Sequence, residues 1–85
     1  MEFPTPEQVR QWIAAKMECA HLEVRGDGRH FEALVVCDEF AGLPVVRRHR
    51  KVYAALGDKM HSEIHALSMR ALTPGEWRGE RHGAD

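Results

Sequence analysis

Eighty-five residues fill one small domain, enough to bury a single sheet under a helical layer with marginal stability and too few for a second domain. The formal net charge of −1 excludes a global field that would draw the chain to nucleic acid or anionic lipid, so such binding needs a local basic patch, and Arg47 to Lys51 is the candidate. No apolar run approaches the length of a membrane span, and MEFPTPEQ carries neither the basic nor the apolar part of a secretory signal; the expectation is a cytoplasmic protein without membrane contact, whose Cys19 and Cys37 are reduced thiols rather than a disulfide.

Thr5-Pro6-Glu7-Gln8 opens the first predicted helix. Thr5 accepts from a free backbone N–H, Pro6 suits the first turn, and Gln8 completes a capping box. Val9, Trp12, Ile13 and Lys16 or Met17 then give one apolar stripe. From His21 the period becomes two, with Leu22 and Val24 alternating against Glu23 and Arg25, and Gly26-Asp27-Gly28 reverses the chain. His30 to Cys37 is the return strand, and its unbroken apolar stretch from Ala33 predicts a central strand covered on part of both faces. Asp38 to Pro44 is a connector. A second helix follows with Val45, His49, Val52 and Leu56 on its apolar stripe, ended by Gly57. Asp58 is placed to cap a short helical turn, His65 to Arg70 alternates as a third strand, and Thr73-Pro74-Gly75-Glu76 is a second capping box for a last helix bearing Trp77. The tail from Arg78 is polar and expected to fray. The predicted class is α+β, one domain over residues 1–85 with an ordered core of roughly 5–78, in the order αββααβα with helices packed on a three-stranded mixed sheet.

Topology carries the first functional inference. Two strands joined by a helical crossover run parallel, so His30 and His65, each opening one of them, should emerge at the same end of the sheet on axes about 4.8 Å apart. That geometry suits one metal atom. The faces conflict, because His65 shares parity with Leu67 and Met69 while His30 opposes Phe31, and a flexible glycine-rich loop is needed to reconcile them. On the residues alone, His30 reads first as an ordinary polar hairpin residue, and His65 is open to being a strand-end histidine held by backbone hydrogen bonds. His49, on the apolar stripe, reads as packed rather than ligating. Arg47, Arg48, Arg50 and Lys51 could contact phosphate or simply form a solvated helix face. His61-Ser62-Glu63-Ile64-His65 sets its glutamate third, which fits neither HExxH nor its inverted form. No CxxC pair, P-loop, nucleophile elbow or GxxG loop occurs in the sequence.

The run GDGRHFEALVVCDEFAGLPVVRRHRKVY from Gly26 to Tyr53, with IHALSMRALTPGEW from Ile64 to Trp77, resembles the BolA family. Its most specific parts are Phe40 and Gly42, the core Arg48-His49-Arg50, and His65. The resemblance implies a fold like class II KH domains and a [2Fe-2S] cluster shared with a monothiol glutaredoxin. It also implies the ligands: His65 matches the family's C-terminal one, and His30 the position where members carry histidine or cysteine in a variable loop. Two histidines cannot supply the four ligands of such a cluster, so a glutaredoxin cysteine and glutathione would give the thiolates. The implied protein is an adaptor in cluster trafficking or iron and redox sensing, not an enzyme, working as a heterodimer, with a homodimer through exposed strand edges when the partner is absent. The alternative is a DNA-binding regulator of the BolA type acting through Arg47, Arg48, Arg50 and Lys51.

Overall fold

The computed structural model describes residues 3–83. Helix α1 (Pro6–Ala14) leads into β1 (His21–Gly26) and β2 (His30–Val36); a 3₁₀ turn (Asp38–Phe40) within the connector precedes α2 (Val45–Leu56), the short α3 (Lys59–Ser62), β3 (Ala66–Leu72) and α4 (Pro74–Gly83). The strands lie in the order β1-β2-β3, with β1 antiparallel and β3 parallel to β2. This is the expected small α+β domain with a mixed sheet.

Both capping boxes form. Thr5 Oγ1 accepts from Gln8 N while Gln8 Oε1 accepts from Thr5 N; Thr73 and Glu76 repeat the exchange at α4. Each satisfies two of the donors that a helix start leaves open. Asp58 departs from expectation: its side chain caps nothing, and its carbonyl instead accepts from Ser62 Oγ. Gly57 ends α2 at φ +56°, where a Cβ would be strained. The last helix runs on through Arg78 to Gly83, with an Arg70–Glu80 ion pair tying it to β3.

Val9, Ile13 and Met17 pack with Phe31, Ala33, Val35, Phe40, Val52, Leu56, Ile64 and Ala71 in one core on the helical side of the sheet. A fully buried side chain of this size contributes about 1.5–3 kcal/mol. Val36 is equally buried but points to the other face, together with its register partners His21 and Leu72. There Trp77 of α4 stacks on His21 at 4.4 Å between ring centroids. The sheet is thus covered on both sides at this end, which is why the sequence from Ala33 to Cys37 does not alternate.

Two expectations are corrected. The stripe of α2 runs through Arg48, Val52 and Leu56, whereas Val45 is 62% exposed and His49 only half-buried. Arg48 can occupy an inward position because its methylene stem lies along apolar surface while its guanidinium reaches polar partners. The expectation of reduced thiols is not met: the structure joins Cys19 to Cys37, leaving no free cysteine among the described residues.

Candidate functional site

The parallel register pairs His30 with Ala66, so His65 stands one residue ahead of the β3 ladder, in the bend after α3. Freed from strict strand alternation, its ring reaches over to His30, and the centroids lie 6.2 Å apart with the planes edge to face at 88°. Both residues are exposed. Ala66 N donates to Arg29 O at 3.0 Å, extending the parallel ladder to the residue before His30 and fixing the separation of the two backbones. The opposed parity of the two positions is therefore reconciled by the bend at His65.

The GDGRH turn carries hydrogen bonds of its own. The Asp27 carboxylate accepts from Arg29 N at 3.0 Å and His30 N at 2.9 Å, and these backbone donors hold its pKa below the ordinary value, His30 first. Gly28 has φ +98°, and Phe3 packs so closely that a Cβ there would lie 2.9 Å from its own. A Cβ on Gly26 would fall 2.4 Å from the His30 carbonyl oxygen. The Arg29 guanidinium lies 5.9 Å from the centroid of the Phe3 ring. The Asp-Gly dipeptide was the signal for this turn; what it did not reveal is that the same carboxylate positions His30.

No group of three or more His, Cys, Asp or Glu side chains suited to a metal ion occurs among the described residues. The site thus offers two imidazoles and no third protein ligand. A first-row metal binds a ring nitrogen at about 2 Å, so rings separated by 6.2 Å leave room for a metal between them. The sheet's open face holds a shallow recess of about 250 Å³ beside Glu32, Leu34, Ser68 and Arg70, and neither histidine lines it. The histidines form an open rim at the end of the sheet.

The basic stretch on α2 divides. Arg48 is 9% exposed and its guanidinium is committed: Nε donates to Leu43 O at 2.8 Å, Nη1 to Ala71 O at 3.0 Å and to Glu76 Oε1 at 2.6 Å, and Nη2 to Glu76 Oε2 at 3.1 Å. It is a structural clamp between α2, β3 and α4, and its place in the candidate partner surface is withdrawn. Held first by Arg48 and then by the Thr73 N–H, the Glu76 carboxyl is drawn down to about 2 from 4.5. Lys51 pairs with Glu39 at 3.3 Å. Arg47 and Arg50 are exposed, beside exposed Val46.

The sequence model of the BolA-like proteins matches residues 9–76. The chain belongs to the BolA-like family. Protein BOLA2 of Arabidopsis thaliana is 44% identical over 79 residues, covering 87% of this chain and 84% of its own. The DNA-binding transcriptional regulator BolA of Haemophilus influenzae is 33% identical over 60 residues, spanning 71% of this chain but 58% of that protein. Among solved structures, a BolA homologue from Coxiella burnetii superposes with TM-score 0.79 at 43% identity, over 89% of this chain and 99% of that one. The two stretches that carry the BolA pattern, Gly26 to Tyr53 and Ile64 to Trp77, are the ones that build the histidine rim and the Arg48 clamp.

Proposed function

We propose that this BolA-like chain is an iron–sulfur adaptor that binds a monothiol glutaredoxin and shares with it a glutathione-dependent [2Fe-2S] cluster, to which His65 and His30 donate. The observation that supports this reading is the pairing of two exposed imidazoles, their centroids 6.2 Å apart on an open rim, with no third ligand gathered beside them among the described residues. Two nitrogen ligands are half of what such a cluster needs, so a site of this make-up is completed from outside, by thiolates of a partner. The bound cluster would supply transferable iron and sulfide and one-electron chemistry. The chain's own part is to present the two rings: Asp27 and Gly28 set His30, and the bend after α3 sets His65. No residue of this rim has the nucleophile–base arrangement of an enzyme, and the role proposed is delivery or sensing.

The test is anaerobic reconstitution with a monothiol glutaredoxin and glutathione, read by absorption and visible circular dichroism. The expected result is a heterodimer spectrum distinct from that of glutaredoxin alone, lost in His65→Ala and altered in His30→Ala. Both variants should keep their stability to within about 0.5 kcal/mol, because both side chains are exposed. An unchanged glutaredoxin spectrum with no complex would overturn the proposal.

The second reading is DNA binding through α2, favoured by the similarity to the DNA-binding transcriptional regulator BolA of Haemophilus influenzae. It has less support here, because Arg48 is committed to the fold and Lys51, though exposed, is paired with Glu39, which leaves Arg47 and Arg50 as the exposed cations outside an ion pair.

A further inference from the structure

Cys19 lies in the connector between α1 and β1, and Cys37 directly follows β2. Ala20 N donates to Val36 O at 2.7 Å and Cys37 N to Leu72 O at 3.0 Å, so one connector is pinned to the sheet at Cys37 and the other at the residue after Cys19. Continuing the β1–β2 register by one step sets Ala20 opposite Cys37 and brings Cys19 diagonally beside it, with a Cα–Cα separation of 4.4 Å, inside the range a disulfide spans. The two residues differ in access. Cys37 is fully buried in the core, whereas Cys19 is only half-buried at its margin.

We propose that Cys19 and Cys37 form a reversible thiol–disulfide site, exchanging with low-molecular-weight thiols and disulfides of the glutathione type through Cys19 alone. In closure, the Cys19 thiolate attacks one sulfur of the small disulfide and expels one small thiolate, leaving a mixed disulfide on Cys19. The Cys37 thiol then loses its proton and attacks Cys19 Sγ, expelling the second small thiolate. The protein loses two electrons and two protons, and the small disulfide gains both to become two thiols. Opening is the reverse: a small thiolate attacks Cys19 Sγ, Cys37 departs and takes a proton, and a second small thiolate frees Cys19. Burial of Cys37 among apolar side chains disfavours its thiolate and protects it from direct attack, so exchange enters at Cys19.

The site is separate from the histidine rim. Cys37 lies seven strand steps from His30, roughly 23 Å at about 3.3 Å per residue, at the opposite end of β2. Its bond would join the exit of α1 to the end of β2 across a sequence separation of 18 and so tie down the β1–β2 hairpin. Loss of a cross-link of that span lowers the thermal midpoint of a domain this size by about 10 °C or more. The proposal does not depend on cluster binding, and its test uses the protein alone.

The experiment equilibrates the full chain in buffers spanning reduced to oxidised glutathione, quenches with a maleimide, and counts labels by mass. The expected result is a two-thiol transition within that range, with the oxidised form melting higher. Cys37→Ala should trap one glutathione on Cys19, and Cys19→Ala should leave Cys37 unmodified while folded. If Cys37→Ala does not fold, Cys37→Val keeps the apolar site filled and serves in its place. A bond that persists at the reducing limit, two free thiols at the oxidising limit, or glutathione trapped on Cys37 would each overturn the proposal.

Discussion

Asp27 shows how one side chain can carry a site without belonging to it. Its carboxylate closes the turn by accepting from the N–H groups of Arg29 and His30. Asp27→Ala should leave the fold intact while hydrogen exchange at the Arg29 and His30 amides speeds up, and the His65-dependent cluster spectrum should weaken. The folded pKa is depressed, so the turn's stabilisation is complete above the ordinary value of 3.8 and is lost as pH falls through the lower folded value. Gly26 tests the same turn by steric means. A methyl group there meets the backbone oxygen of His30 at 2.4 Å and Phe31 Cδ1 at 2.6 Å, and the backbone oxygen cannot move aside without breaking the ladder. Gly26→Ala should cost about 1–3 kcal/mol in urea denaturation. Neither role was legible in the sequence beyond the turn itself, because the dipeptide announces a reversal but not which donors the aspartate will find.

Among the elements, α4 depends most on one residue from elsewhere. Arg48 holds it through Glu76 while also satisfying the carbonyls of Leu43 and Ala71. Arg48→Met keeps the stem's volume and leaves those acceptors without donors, so it should cost about 2–3 kcal/mol by urea denaturation and release α4 first. Glu76 adds a pH dependence. Its folded pKa of about 2 lies below the ordinary 4.5, so its contribution is complete above about 4.5 and drains away as pH falls toward 2. Glu76→Gln retains the capping partner and removes this one titration, so its stability should fall less than that of the parent over the same range. A parent whose stability does not fall between pH 4.5 and 2, beyond the decline of the variant, would contradict this account. The capping boxes and the strand order were readable because they depend on local spacing and on the handedness of crossovers. The inward turn of Arg48 was not, because a periodicity argument assigns a long cation to solvent although its stem can line a core and its end can reach carbonyls.

At the scale of the whole molecule, the sheet has two unlike ends, with the histidine rim at the start of β2 and the cysteine pair beyond its finish. That His30 and His65 share an end followed from topology alone, since parallel neighbours begin together. That their rings meet depended on where the β3 ladder begins, a boundary that periodicity leaves open by a residue or two. The same structure bears on DNA binding. With a net charge of −1 there is no general attraction to a polyanion, and the local patch has contracted from four cations to Arg47 and Arg50. Counterion release scales with the phosphates neutralised, so two cations imply a logarithmic salt slope of about −1.8 and about a tenfold loss of affinity between 50 and 200 mM salt. Four would imply a slope of about −3.6 and a loss of roughly 150-fold. Fluorescence anisotropy with a labelled duplex across that range should therefore show weak binding with the shallow slope, abolished when Arg47 and Arg50 are both changed to Glu. A slope near the steeper value would mean that Lys51 leaves Glu39 and Arg48 leaves its clamp on contact with DNA. Since Arg48 holds α4, that outcome would also require α4 to become exchange-labile in the complex, and hydrogen exchange at the Trp77 amide, which donates to Thr73 O, would report it.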